Sequence, residues 1–159
     1  MSDVADPNTD APTMSDVARA PWHLWLVGIL GLLFNSVGAL DYLMTQTQNE
    51  SYMGRFTAEQ LEVLYGLPTW LVACWALAVW AGVLGALLLL LRKRLAVPVL
   101  LVSLLAMVVT ALHNLFAVNG MYETAGTGLG FLLVIFGFAF GLWLYARAMR
   151  ERGVLGPPK

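Results

Sequence analysis

Four long apolar runs, near residues 22–44, 68–91, 97–118 and 126–147, constrain this chain more than any other feature. At about 1.5 Å of rise per residue, each is long enough as a helix to cross roughly 30 Å of hydrocarbon. The expected fold class is therefore all-α: a polytopic membrane protein built as a bundle of four transmembrane helices. Composition agrees, since 59% of the 159 residues are hydrophobic and 12% charged, with a mean hydropathy of +0.73. A water-soluble fold of this size could not hide so much apolar surface. The charges sit almost wholly between the runs rather than within them.

The nine Lys and Arg nearly cancel the ten Asp and Glu. No basic face exists to neutralise phosphates along a nucleic acid. Cys74 is the one cysteine, so an intrachain disulfide is impossible.

Residues 1–20 carry Asp3, Asp6, Asp10 and Asp16 against Arg19 and hold too little apolar surface to offset the entropy of ordering. They are expected to form a disordered cytoplasmic tail ahead of a membrane domain over 21–150. Met1-Ser2-Asp3-Val4-Ala5 recurs as Met14-Ser15-Asp16-Val17-Ala18, which reads either as a short duplication or as a natural start at Met14. The first apolar run is too long, and its preceding segment too acidic, for a cleaved signal peptide. Within the loop over 45–67, Thr57-Ala58-Glu59-Gln60 is a capping box opening a short helix over 57–65. Its apolar face rests on the membrane or the bundle, or else it is an ordinary loop helix. Pro68 and Pro98 fall in the first turns of the second and third spans, where a missing amide costs nothing. Residues 151–159 form a C-terminal tail, and Gly156-Pro157-Pro158 ends any helix there.

Arg92, Lys93 and Arg94 separate the second and third spans, and Arg147, Arg150, Arg152 and Lys159 follow the fourth. The two other loops hold Arg55 alone between them. This bias puts both termini in the cytoplasm. Trp22, Trp25, Tyr42, Trp70, Trp143 and Tyr145 lie at span ends, as interfacial belts require.

Helices in lipid associate through small residues that let backbones approach. Ala78, Gly82 and Ala86 repeat every four residues on the second span, and Gly137 and Gly141 do so on the fourth. Either face could serve the bundle, a homo-oligomer or a membrane-protein partner. Trp70, Trp75 and Trp80 recur every five residues, which does not keep them on one face. A weak similarity at an offset of 72 aligns the first and third spans as a parallel repeat and places Asp41 opposite His113.

Ionisable groups inside a membrane are costly and tend to face a bundle interior, a cavity or each other. Asp41 lies roughly 12 Å outward from the middle of the first span and His113 roughly 10 Å outward in the third. The matched depths make Asp41, His113, Asn114 and Tyr42 a candidate polar or ligand-binding cluster, with Glu123 within reach. The functional reading is a titratable pair at the mouth of a cavity. The bland reading makes Asp41 the exit from the membrane and His113 with Asn114 a packing contact. Asn35, nearer the midplane, must find a partner inside the bundle, where a lone Asn usually ties helix to helix.

No catalytic pattern accompanies these groups: HExxH, GxSxG and a phosphate-cradling loop are all missing from the sequence. His23 and His113 fall on opposite sides of the membrane, so no metal or haem site is expected within one chain, and no cofactor or enzyme activity.

Phe34-Asn35, Gly38-Ala39, Asp41-Tyr42 and Thr45, then Tyr52-Met53, Pro68-Thr69-Trp70, Trp75-Ala76 and Val79-Trp80, resemble a family of small four-span bacterial membrane proteins often labelled sugar transporters. The resemblance covers roughly residues 22–150. It implies a bacterial inner-membrane location and solute transport, and it brings no established functional residues with it. A four-helix monomer offers little wall for a sugar-sized cavity, so transport would need an oligomer. The expectation is a small solute transport or permeability component. The alternative is a non-catalytic membrane protein that binds or stabilises a partner membrane protein. A water-accessible polar cavity would favour the first, and a solid bundle with an exposed small-residue groove the second.

Overall fold

The computed structural model describes residues 20–117 and 129–156, and among them every regular element is a helix. In chain order these are α1 (Trp22–Gln46), α2 (Glu50–Met53), α3 (Ala58–Tyr65), α4 (Thr69–Leu90), α5 (Ala96–Ala117) and α6 (Leu129–Glu151). Four of them, α1, α4, α5 and α6, are long and apolar enough to cross a membrane. The protein is an integral membrane protein with a four-helix bundle.

Local chemistry sets the helix ends. Pro21 and Pro68 stand at the N-caps of α1 and α4 with extended backbones, φ −66° and −64°. The expected short loop helix forms as α3, with both hydrogen bonds of its capping box in place between Thr57 and Gln60. One element was not anticipated: a single turn, α2, capped by the Asn49 side chain accepting from the Tyr52 amide at 3.2 Å. The fourth helix continues to Glu151, four residues past the expected end at 147, because Arg147 and Arg150 lie on its exposed side and do not interrupt the ladder. Its expected start at 126 falls outside the described residues.

Three helices stop in the same way. At the ends of α1, α4 and α6 a residue in the left-handed region turns the chain: Gln48 (φ 50°), Arg92 (φ 56°) and Gly153 (φ 72°). In each the next amide bonds back across the last turn, as Lys93 N–H does to the Leu88 carbonyl at 2.8 Å and Val154 N–H to Met149 at 3.0 Å. This satisfies carbonyls that the helix ends would otherwise leave unpaired. Glutamine and arginine in this conformation cost about 1 kcal/mol each relative to glycine.

Helix α4 is the hub, packed against both α1 and α5, and α5 packs in turn on α6. Helices α1 and α5 are not a closely packed pair. Long side chains connect α1 to α6: the Phe34 and Phe138 rings lie 4.2 Å apart, and His23 Nδ1 is hydrogen-bonded to the Tyr145 hydroxyl. A buried apolar cluster sits at the end of the bundle that carries the α4–α5 turn. Leu24, Leu89, Val97, Leu100, Leu142, Ala146 and Met149 meet there. Val154 and Leu155 join them, so the first part of the C-terminal segment is packed against the bundle.

Candidate functional site

The candidate polar side chains expected from the sequence fall into two groups, one at the middle of the bundle and one at the end that carries α2 and α3. The middle group is built where α1, α4 and α5 converge. Asn35 donates from Nδ2 to the Gly31 carbonyl one turn back at 2.7 Å. Its Oδ1 faces α4 so closely that a Cβ placed on Gly82 would lie 2.0 Å from it. The same Cβ would lie 3.1 Å from Ser103 Oγ on α5, and that hydroxyl donates to the Ala78 carbonyl at 2.6 Å. Ser103 is buried. Asn35 thus finds its hydrogen-bond partner on its own helix and packs its Oδ1 against the bare backbone of Gly82, while Ser103 supplies the bond between helices. Ser103 was not singled out from sequence, because a lone serine in an apolar run carries no pattern.

Asp41 has its own partner at the α2–α3 end. The Tyr52 hydroxyl donates to Asp41 Oδ1, fastening α2 to the last turns of α1. The Arg55 guanidinium lies 5.5 Å from the centre of the Tyr52 ring, which itself packs against Phe56. Tyr52 is pushed up to about 12 by burial first, then by the hydrogen bond to Asp41 and the carboxylate's charge, with Arg55 acting in the opposite direction. It therefore remains a neutral donor throughout the physiological range. Sequence reasoning missed Tyr52. The available signal was Asn49, whose capping side chain starts the turn that swings Tyr52 back over α1.

The expected Asp41–His113 contact is not formed among the described residues. His113 meets the Trp70 ring edge-on, with ring centres 5.2 Å apart, and its buried Nδ1 has no hydrogen-bond partner. The reason is topological. Helix α4 packs against both α1 and α5, and its first turns offer an aromatic ring to each: Trp70 to His113, and Trp75 to Tyr42 at 5.1 Å. Matched depth along two helices does not make them neighbours. The Asn114 side chain and Glu123 lie outside the described residues.

On the same end of the bundle an open cleft of about 170 Å³ is lined by Thr45, Gln46, Gln48 and Tyr65, with Leu64, Leu67 and Val72. Its hydrogen-bonding groups are uncharged. Among the described residues no three His, Cys, Asp or Glu side chains lie together where they could share a metal ion.

The small residues expected to mediate packing divide sharply. Ala78, Gly82 and Ala86 are buried inside the protomer, Gly82 against Asn35 and Ser103 and Ala78 bonded through its carbonyl to Ser103. Gly137 and Gly141 are exposed, and among the described residues nothing lies within 4 Å of where their Cβ atoms would be. Gly130 is equally open. At 100° per residue these three glycines share the centre of one face of α6, flanked by exposed Leu133, Val134, Phe140 and Leu144. No family model, no curated protein and no solved structure matches this chain.

Proposed function

We propose that this chain is a non-catalytic membrane subunit that works by assembly, and that the glycine face of α6 binds another transmembrane helix, most simply α6 of a second copy. One observation carries the reading: Gly137 and Gly141, one turn apart, present bare backbone on the exposed side of the bundle. Bare backbone of this kind lets a second helix approach closely enough for dispersion and Cα–H···O contacts to act, which is how helices associate in lipid. The interior supports the same reading, because Asn35 and Ser103 fill the middle and the α4–α5 end is closed by the buried leucine cluster. The charge bias of the loops supports cytoplasmic termini, and the resemblance described above supports a bacterial inner-membrane location.

A second reading, a small solute transport or permeability component, is favoured by the uncharged polar cleft of Thr45, Gln46, Gln48 and Tyr65. Asn35 and Ser103 occupy the middle of the bundle, so a solute path between copies is the simpler route, and this reading also uses the α6 contact. Self-association in bilayers, followed by single-molecule photobleaching at increasing lipid dilution, tests the assembly. Gly137→Ile with Gly141→Ile should weaken it at least tenfold, and an unchanged dilution curve would remove the proposal. Uptake of uncharged solutes by liposomes then separates the two readings.

A further inference from the structure

The two ends of the bundle carry opposite charge. Among the described residues the α2–α3 end holds Asp41, Glu50, Glu59 and Glu62 against Arg55, whereas the α4–α5 end holds Arg92, Lys93, Arg94, Arg147, Arg150 and Arg152 against Glu151. That single carboxylate is taken by Arg147 at 2.9 Å. Two of the remaining basic side chains, Arg92 and Arg94, are gathered by the C-terminal segment. Arg92 Nε donates to the Val154 carbonyl at 3.1 Å, Arg94 Nε to the Leu155 carbonyl at 3.2 Å, and Gly156 N–H returns a bond to the Arg92 carbonyl at 2.8 Å. Gly156, with φ 110°, lies flat against the Arg94 stem. A clasp between residues some sixty positions apart thus brings the basic turn beside the end of α6 that carries Arg150 and Arg152.

Two features of this clasp point to a ligand. The first is Arg94, whose stem is pinned while its terminal nitrogens make no hydrogen bond among the described residues. A guanidinium so oriented is suited to two oxygens of a phosphate. The second is the flank: Leu91 and Leu95, on either side of the basic triplet, are 65% and 63% exposed. A phosphate site bordered by exposed leucines at the end of two membrane helices matches an amphiphile with an anionic head and an apolar tail.

The geometry points to an anionic phospholipid site at the α4–α5 turn, in which Arg94 and Lys93 take the head-group phosphate and Leu91 and Leu95 lie along the acyl chains. The site is independent of the α6 assembly face. The test uses the full-length protein in nanodiscs of phosphatidylcholine doped with phosphatidylglycerol, with co-retained lipid counted by native mass spectrometry. The wild type should retain phosphatidylglycerol preferentially. Lys93→Gln, which leaves the clasp bonds intact, should lower that preference roughly five-fold, the effect of one basic side chain at an anionic surface. Arg94→Lys keeps the charge and removes the fork, and it should also lower the preference. Arg55→Gln, at the opposite end, should leave it unchanged. The site would be overturned if Arg94→Lys retained lipid as the wild type does, or if Arg55→Gln lost as much as Lys93→Gln. It would also be overturned, in favour of a free-anion site, if millimolar inorganic phosphate displaced the retained lipid and raised the thermal midpoint as far as phosphatidylglycerol does.

Discussion

On α4, Ala78, Gly82 and Ala86 are buried inside the bundle, while on α6, Gly137 and Gly141 repeat at the same four-residue spacing and face outward with nothing against them among the described residues. The difference does not lie in the small residues themselves. It lies in what stands opposite: α1 brings Asn35 and α5 brings Ser103 to Gly82, whereas α6 meets the bundle with Phe138, Leu142, Ala146 and Met149 and leaves its glycines on the far side. One motif closes a protomer, and the other is available to a partner.

The contrast is easiest to break at Gly82. Replacing it with valine puts side-chain atoms where Asn35 Oδ1 and Ser103 Oγ already are, both held by their own hydrogen bonds or packing. Unfolding of Gly82→Val in detergent should show a loss of about 3 kcal/mol or more. Stability close to wild type would mean that α1 and α4 can separate there without cost. Gly156→Ala comes next, because its φ of 110° is open only to glycine and an added Cβ would meet the Arg94 side chain. The expected loss is about 2 kcal/mol, and protease should release the C-terminal segment faster from this variant than from wild type.

Tyr52 provides a smaller and pH-dependent effect. Its folded pKa is raised from 10.0 to about 12, so the contact with Asp41 contributes in full below pH 10 and is lost as pH rises through the folded value. Tyr52→Phe should cost about 1 kcal/mol at neutral pH and abolish that alkaline loss. In Asp41→Asn the phenol should titrate lower, between the ordinary value and that of the wild type, since burial remains. Ultraviolet phenolate titration reads this directly, and an unmoved titration would show that Asp41 does not hold Tyr52. The smallest expected effect on the protomer is that of Gly141→Ala, within about 0.5 kcal/mol of wild type because the added methyl meets nothing. A large loss would place Gly141 inside a contact and erase the contrast with Gly82.

Much of the molecule can be read without the coordinates. The four spans follow from apolar length, the turn at Thr57 from a capping box, and the charge asymmetry from counting Lys and Arg. These are local or additive properties: a helix needs only its own backbone to satisfy its hydrogen bonds, and a transmembrane run needs only enough carbon. The candidate site was legible only in part. Asn35 carried its own signal, since an amide near the membrane midplane requires a partner. That the partner region is Gly82 and Ser103 depends on which helices touch, and the apolar faces of α1, α4, α5 and α6 are too alike to specify it.

The same limit governs the rest. The sequence by itself determined that four helices are long and apolar enough to span a membrane, roughly where they lie, and which small and ionisable residues lie within or beside them. Only the tertiary structure decided that α4 stands between α1 and α5, so that Asp41 turns to Tyr52 while His113 turns to Trp70. It also decided that one glycine pair is filled and the other open, and that the C-terminal segment clasps Arg92 and Arg94. The physical reason is that spanning a membrane is set by summed transfer energy along one helix, whereas neighbours in a bundle are chosen by shape and a few hydrogen bonds between helices far apart in the chain.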